Sequence, residues 1–137
     1  DPHVSPKNSE QSFTQSFFME QTKSLIEAII QGIQEKKGKE ITTVDLHHIV
    51  TAPCSCFVIC TCGSPQQVSA VCDSVEEFTR KLVQQKPSAI AGRQNGLWVA
   101  MDYGTVMVHI FLEEARGYYE LEKLWDDAEL TQYPDID

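Results

Sequence analysis

The segment Thr105–Leu112 reads TVMVHIFL. Val106, Val108 and Ile110 alternate with Met107, His109 and Phe111, so both faces of an extended chain carry apolar or aromatic groups. A strand of that kind belongs at the centre of a sheet whose two faces are both covered. Phe57–Thr61, FVICT, has the same β-branched and aromatic character. In a chain of 137 residues, two buried strands imply a single core; a second domain would leave each half too small to bury one.

The other elements follow from spacing and punctuation. From about Phe17, Leu25, Ile26, Ile29, Ile30 and Ile33 recur at helical intervals. Lys36, Lys37 and Gly38 close that helix, with charge suited to its dipole and a glycine available for a left-handed cap. A strand is expected over Ile41–Leu46, then a loop over His47–Cys54. Ser64 suits an N-cap with Pro65 at the first helical position. Val68, Val71, Cys72, Val75, Phe78 or Thr79, and Leu82 share one face of the helix that follows, which fades near Lys86 before Pro87. A short strand at Ala89–Ala91 precedes a hairpin of Leu97–Asp102 and Thr105–Leu112, turning at Tyr103 and Gly104. A last helix runs over Glu113–Ala128, with Tyr118, Leu121, Leu124 and Trp125 on one side.

The resulting order, αββαβββα, predicts an α/β (α+β) domain, a mixed sheet of about five strands flanked by helices. The unit around residues 57–91 fits a parallel crossover. Residues 1–17 read as a flexible N-terminal arm, 18–128 as the folded domain and 129–137 as a loose acidic tail. The chain opens at Asp1, and Met19 suits a native start, which leaves residues 1–18 as candidate non-native sequence.

Charge and cysteine usage narrow the function. Eleven Lys and Arg against 20 Asp and Glu give a net charge of −9, which argues against a grip driven by nucleic-acid phosphates and suits a partner with a basic surface. No apolar run approaches the roughly 20 residues of a membrane-spanning helix, and the N-terminus has no secretory pattern. Five cysteines, four of them within Cys54–Cys62, form a poor disulfide framework and fit reduced thiols in a cytoplasmic protein. With His47 and His48 upstream they include metal-ligand types, but Cys54-Ser-Cys56 and Cys60-Thr-Cys62 lack the usual zinc spacing, so packing is the favoured role.

Other motifs are weaker. Gly63-Ser64 lies between a strand and a helix, where backbone N–H groups can face an anion. A nucleotidyltransferase would need two metal-holding carboxylates near it, and only Asp73 and Glu76, spaced for a helix, follow. His109 has no visible nucleophile paired with it. Trp98 and Asp102 fall on the strand face opposite Leu97 and Val99, and Tyr103 sits in the turn; aromatics so placed suit a protein interface.

Three stretches carry a family resemblance: residues 98–111 (WVAMDYGTVMVHIF), 114–125 (EARGYYELEKLW) and 56–68 (CFVICTCGSPQQV). Together they resemble the ribosomal silencing factors, the Iojap family, over about residues 20–128. Ser55, Cys56 and Gln66 stand where that family usually has Asp, Tyr and Arg. The resemblance implies a nucleotidyltransferase-like fold without the catalytic carboxylates, no enzyme activity and no cofactor or metal. It implies binding to the large ribosomal subunit through ribosomal protein fourteen of that subunit, blocking subunit joining and lowering translation when nutrients are short. It implies no DNA contact, little direct contact with rRNA, no membrane partner, and a homodimer. Carried onto matching positions, it places Trp98, Asp102, Tyr103, His109, Arg116, Tyr119 and Glu122 on the docking surface, with Trp98 and Tyr103 as anchors. A divergent nucleotide-binding enzyme and a thiol-based metal or redox module are the alternatives.

Overall fold

The computed structural model describes residues 5–49, 51–116 and 128–136, with backbone alone over 5–18. Its elements are α1 (Ser5–Glu35), β1 (Lys39–Asp45), β2 (Cys56–Cys62), α2 (Pro65–Val83), β3 (Ala89–Ala91), β4 (Trp98–Asp102), β5 (Val106–Leu112), α3 (Glu113–Arg116) and β6 (Glu129–Gln132). The strands form one six-stranded sheet in the order β3-β4-β5-β2-β1-β6.

The two strands with apolar groups on both faces lie side by side at the centre, the only parallel pair among the described residues, from Cys56 opposite Val106 to Cys62 opposite Leu112. All other pairings in the sheet are antiparallel. The expected crossover over 57–91 is present, but β3 lands at the sheet's far edge, and the parallel neighbour of β2 is β5. The reason is the hairpin: β4 pairs with β5 in register from Trp98↔Phe111 to Asp102↔Met107, and β3 adds outside β4. Tyr103 N–H donates to the Val106 carbonyl at 2.9 Å and closes the turn, where Gly104 has φ +88°.

Two expectations about the ends are corrected. The backbone is helical from Ser5, where a flexible arm over 1–17 is expected from composition. Pro6 falls in the first turn, where its missing N–H costs nothing, and no Gly or Pro follows until Gly32. The segment expected as a loose tail over 129–137 instead supplies β6, so the sheet has six strands. Without it, its inner neighbour β1 would be an open edge of the sheet. Tyr133 N–H donates to the Ile41 carbonyl at 2.9 Å, and the Asp135 carboxylate accepts from Glu40 N–H at 3.0 Å. Of the expected last helix, Glu113–Arg116 is seen; the remainder up to residue 127 lies outside the described residues.

The helix ends follow the sequence signals with one exchange. Ser64 Oγ accepts from Gln67 N–H at 3.1 Å, with Pro65 next in the first turn. α2 stops at Val83, earlier than Pro87 suggests, because Gln84 takes the left-handed cap. At the end of α1 the left-handed residue is Lys37, not Gly38. Gly38 serves close packing: a Cβ there would stand 2.5 Å from Ile33 Cγ2.

α1 and α2 cover one face of the sheet. Leu25, Ile29 and Ile33 from α1 and Val68, Val71 and Val75 from α2 meet Val58, Val99, Val108 and Ile110 in one core, each no more than 1% exposed. Cys56, Cys60, Cys62 and Cys72 are free thiols in that same core. Burial pushes the Cys56 thiol up to about 12, far from the reactive thiolate. Among the described residues no three His, Cys, Asp or Glu side chains gather as a metal site. The helices touch where Gly32 meets α2: a Cβ on Gly32 would lie 2.8 Å from Val75 Cα, and Ser74 Oγ donates to the Gly32 carbonyl at 2.7 Å. Gly32→Val is therefore expected to lower stability by about 2 kcal/mol in urea unfolding, as overpacking outweighs the gain in helix propensity. Unchanged stability would mean that the helices do not need this close approach.

Candidate functional site

The second face of the sheet carries a different set of side chains. The register aligns them in rows across the strands. One row is Trp98, Phe111 and Thr61; the next is Ala100, His109 and Ile59; the third is Asp102, Met107 and Phe57. Phe57, Ile59 and Phe111 form a second core with Val44, Leu46 and Ala115, and half-buried Trp98 packs against it.

Trp98 is the organised element of this face. Its ring stacks on Phe111, centroids 5.2 Å apart with planes at 23°. Its indole Nε1–H donates to His109 Nδ1 at 2.9 Å. The bond runs diagonally between neighbouring strands, within reach of a long side chain, and Ala100 opposite His109 presents only a methyl group. The His109 ring also meets the Phe57 ring edge-on, centroids 4.8 Å apart.

His109 is 3% exposed, and burial lowers its pKa to about 4. Because Nδ1 accepts from Trp98, the neutral ring carries its proton on Nε2, which has no hydrogen-bond partner among the described residues. This suits neither a general base nor an exposed contact. The residue supports Trp98 from below.

The other expected docking residues divide. Asp102 lies on the same face, half-buried, and its carboxylate accepts from Gly104 N–H at 2.8 Å, which shapes the hairpin turn. Arg116 on α3 donates to Thr61 Oγ1 at 2.8 Å and to the Glu40 carbonyl at 3.1 Å, so it joins the Trp98 row two strands away. Tyr103 turns to the helix-covered side: it is 9% exposed, and its hydroxyl shares a 2.8 Å hydrogen bond with Thr79. Burial pushes its phenol up to about 12. Tyr119 and Glu122 lie outside the described residues. Phe57, Phe111 and Thr61 also shape the face; strand parity in the sequence links only Phe111 to His109, because Phe57 and Thr61 reach this face through the register of β2 with β5.

The turn at Gly63-Ser64 is filled from within. Gly63 N–H donates to Gln67 Oε1 at 2.8 Å, and Gln67 Nε2 donates to the Lys36 and Lys37 carbonyls, both at 3.0 Å. The side chain thus ties α2 to the end of α1 at the place where an anion would sit. Asp73 and Glu76 are both engaged by Arg93, the latter at 3.2 Å. The carboxylates nearest the turn in sequence therefore anchor the loop before β4.

A buried histidine with a lowered pKa makes stability pH-dependent. The unfolded chain takes up this proton near pH 6.5 and the native protein only near 4, so the native state loses stability as pH falls through that interval. The loss is of order 3 kcal/mol if the shift is fully expressed. His109→Phe is expected to flatten the acid limb of stability against pH, measured by urea unfolding between pH 7 and 4. The same slope in both proteins would show that His109 is not held neutral.

The chain matches the family model described as "Ribosomal silencing factor during starvation" over residues 19–137. It is 32% identical over 110 residues to a Bacillus subtilis protein named ribosomal silencing factor RsfS, covering 80% of this chain and 91% of that one. A protein of the same name from Halalkalibacterium halodurans is 31% identical over 107 residues, 76% of this chain and 87% of its own. A crystal structure of a Chromobacterium violaceum protein superposes with a TM-score of 0.67 at 30% identity, covering 86% of this chain and 90% of that chain. Among the described residues no helix is long and apolar enough to cross a membrane. With the family pattern running through both the buried centre of the sheet and the segment that forms β6, the chain belongs to the ribosomal silencing factors.

Proposed function

We propose that this protein docks through the Trp98 face of its sheet on ribosomal protein fourteen of the large subunit and blocks association with the small subunit. The action is steric: a bound domain fills volume and covers contact surface that the small subunit requires, and no bond is made or broken. The observation that carries this reading is Trp98 itself, half-buried, stacked on Phe111 and hydrogen-bonded to His109. An aromatic side chain fixed before binding gives up little conformational freedom when it enters a partner's pocket, which makes it an efficient anchor.

Asp102 and Arg116 flank the anchor and set register, and Tyr119 and Glu122 extend the surface by family resemblance. His109 acts from beneath Trp98, and Tyr103 holds the hairpin against α2. The net charge of −9 favours a basic protein partner and disfavours close approach to rRNA. We also propose a cytoplasmic protein, capable of forming a homodimer, with no catalytic role and no cofactor.

The test is co-sedimentation with isolated large and small ribosomal subunits at physiological salt. Pelleting with the large subunit alone is expected, and Trp98→Ala should weaken it at least tenfold, about 1.4 kcal/mol, in a protein that remains folded. Wild-type affinity in a folded Trp98→Ala protein would remove Trp98 from the docking surface. Absence of pelleting by the folded wild type would remove the large subunit as partner.

A further inference from the structure

We infer that His109 is a positioning residue for docking: its Nδ1 is the acceptor that fixes the orientation of the Trp98 indole on the ribosome-facing side of the sheet. The inference rests on the docking reading above and adds to it a residue that touches no partner.

The geometry gives His109 this role. It is 3% exposed, so a partner meets it only through what lies above it. Its Nδ1 receives the indole N–H at 2.9 Å. The Phe57 ring packs edge-on against the imidazole and restrains it from one side. Stacking on Phe111 sets the plane of the indole, but stacking by itself does not select the direction in which the N–H points. A hydrogen bond to a buried acceptor selects that direction.

The choice of histidine has a stability cost. With Nδ1 accepting, the proton sits on Nε2, and that buried N–H has no partner among the described residues. Phenylalanine or leucine would fill this apolar site without leaving a polar group unsatisfied. What those residues lack is an acceptor facing Trp98. Glutamine retains one, in its side-chain carbonyl oxygen, and so separates loss of the acceptor from loss of the imidazole.

The experiment compares wild type, His109→Phe, His109→Gln, Trp98→Phe and the double variant His109→Phe/Trp98→Phe. Each is first shown to be folded by thermal unfolding. The readouts are the dissociation constant for isolated large subunits and, in the free protein, the proton resonance of the Trp98 indole N–H, assigned by its disappearance in Trp98→Phe. His109→Phe is expected to weaken docking five- to tenfold and to shift the indole resonance. His109→Gln should recover most of both. Trp98→Phe keeps a ring over Phe111 but deletes the donor; it should weaken docking comparably, and the double variant should be no worse than either single one.

His109→Phe binding within twofold of wild type would overturn the positioning role while docking through Trp98 stands. If His109→Phe does not fold, Trp98→Phe and His109→Gln decide: wild-type affinity in Trp98→Phe, or a tenfold loss in His109→Gln with an unmoved indole resonance, overturns the role. If the folded wild type binds no large subunit, the docking reading fails by itself. The inferred hydrogen bond is then judged by the indole resonance, which would remain unmoved in His109→Phe if the bond were absent.

Discussion

The parallel pairing of β2 with β5 is the constraint on which the other elements depend. Parallel neighbours cannot be joined by a tight turn, so the chain must make a long excursion between Cys62 and Val106. That excursion contains α2, β3 and β4, and it accounts for the layout on both sides of the pair. α2 packs on one face together with α1, while β3 and β4 return to extend the sheet beyond β5. β1 and β6 extend it beyond β2. Because the pair is buried on both faces, its alternate side chains must serve two environments at once. Val58, Cys60, Val108 and Ile110 serve the helix side, and Phe57, Ile59, His109 and Phe111 serve the other.

The proposed docking draws on the asymmetry between the two faces. The helix side is closed by close-packed small and branched residues, with Gly32 letting α1 and α2 approach backbone to backbone. The other side is aromatic and retains polar groups: the indole of Trp98 and the hydroxyl of Thr61 under Arg116, both hydrogen-bonded, and the imidazole of His109, whose Nε2 is buried without a partner among the described residues. Stability alone would favour an apolar residue at 109. A binding face has a different requirement, that its protruding groups be held in one orientation before the partner arrives. At the Gly63-Ser64 turn the polar groups are engaged internally, with Gln67 filling the turn and Arg93 holding Asp73 and Glu76.

Much of this could be read from residue patterns because it depends on local rules. The caps of α2, the hairpin turn at Gly104 and the alternation in β4 all follow from the preferences of single residues and short periods. The placement of Trp98 and Asp102 on one face, opposite Val99 and Met101, follows from strand parity and stands in the structure. Composition is a poorer guide at the two ends of the chain. A polar segment with few apolar residues suggests an arm, yet nothing in it after Pro6 opposes a helix that α1 can extend. An acidic tail suggests a loose end, yet backbone groups of Glu129–Gln132 pair with β1 whatever their side chains are.

The sequence by itself determined that the chain has two doubly buried strands, helices to cover them, a thiol-rich interior and an aromatic motif shared with the ribosomal silencing factors. It did so because periodicity, capping and burial act over a few residues or over composition as a whole. Only the tertiary structure decided that β5 lies beside β2, that β6 completes the sheet, that Tyr103 turns inward to Thr79, and that His109 meets the indole of Trp98. Each of those is a contact between residues distant in the chain or on different strands. Such contacts are set by register, by hydrogen-bond demand at strand edges and by the shape of the space left between packed side chains, none of which is a property of any one segment.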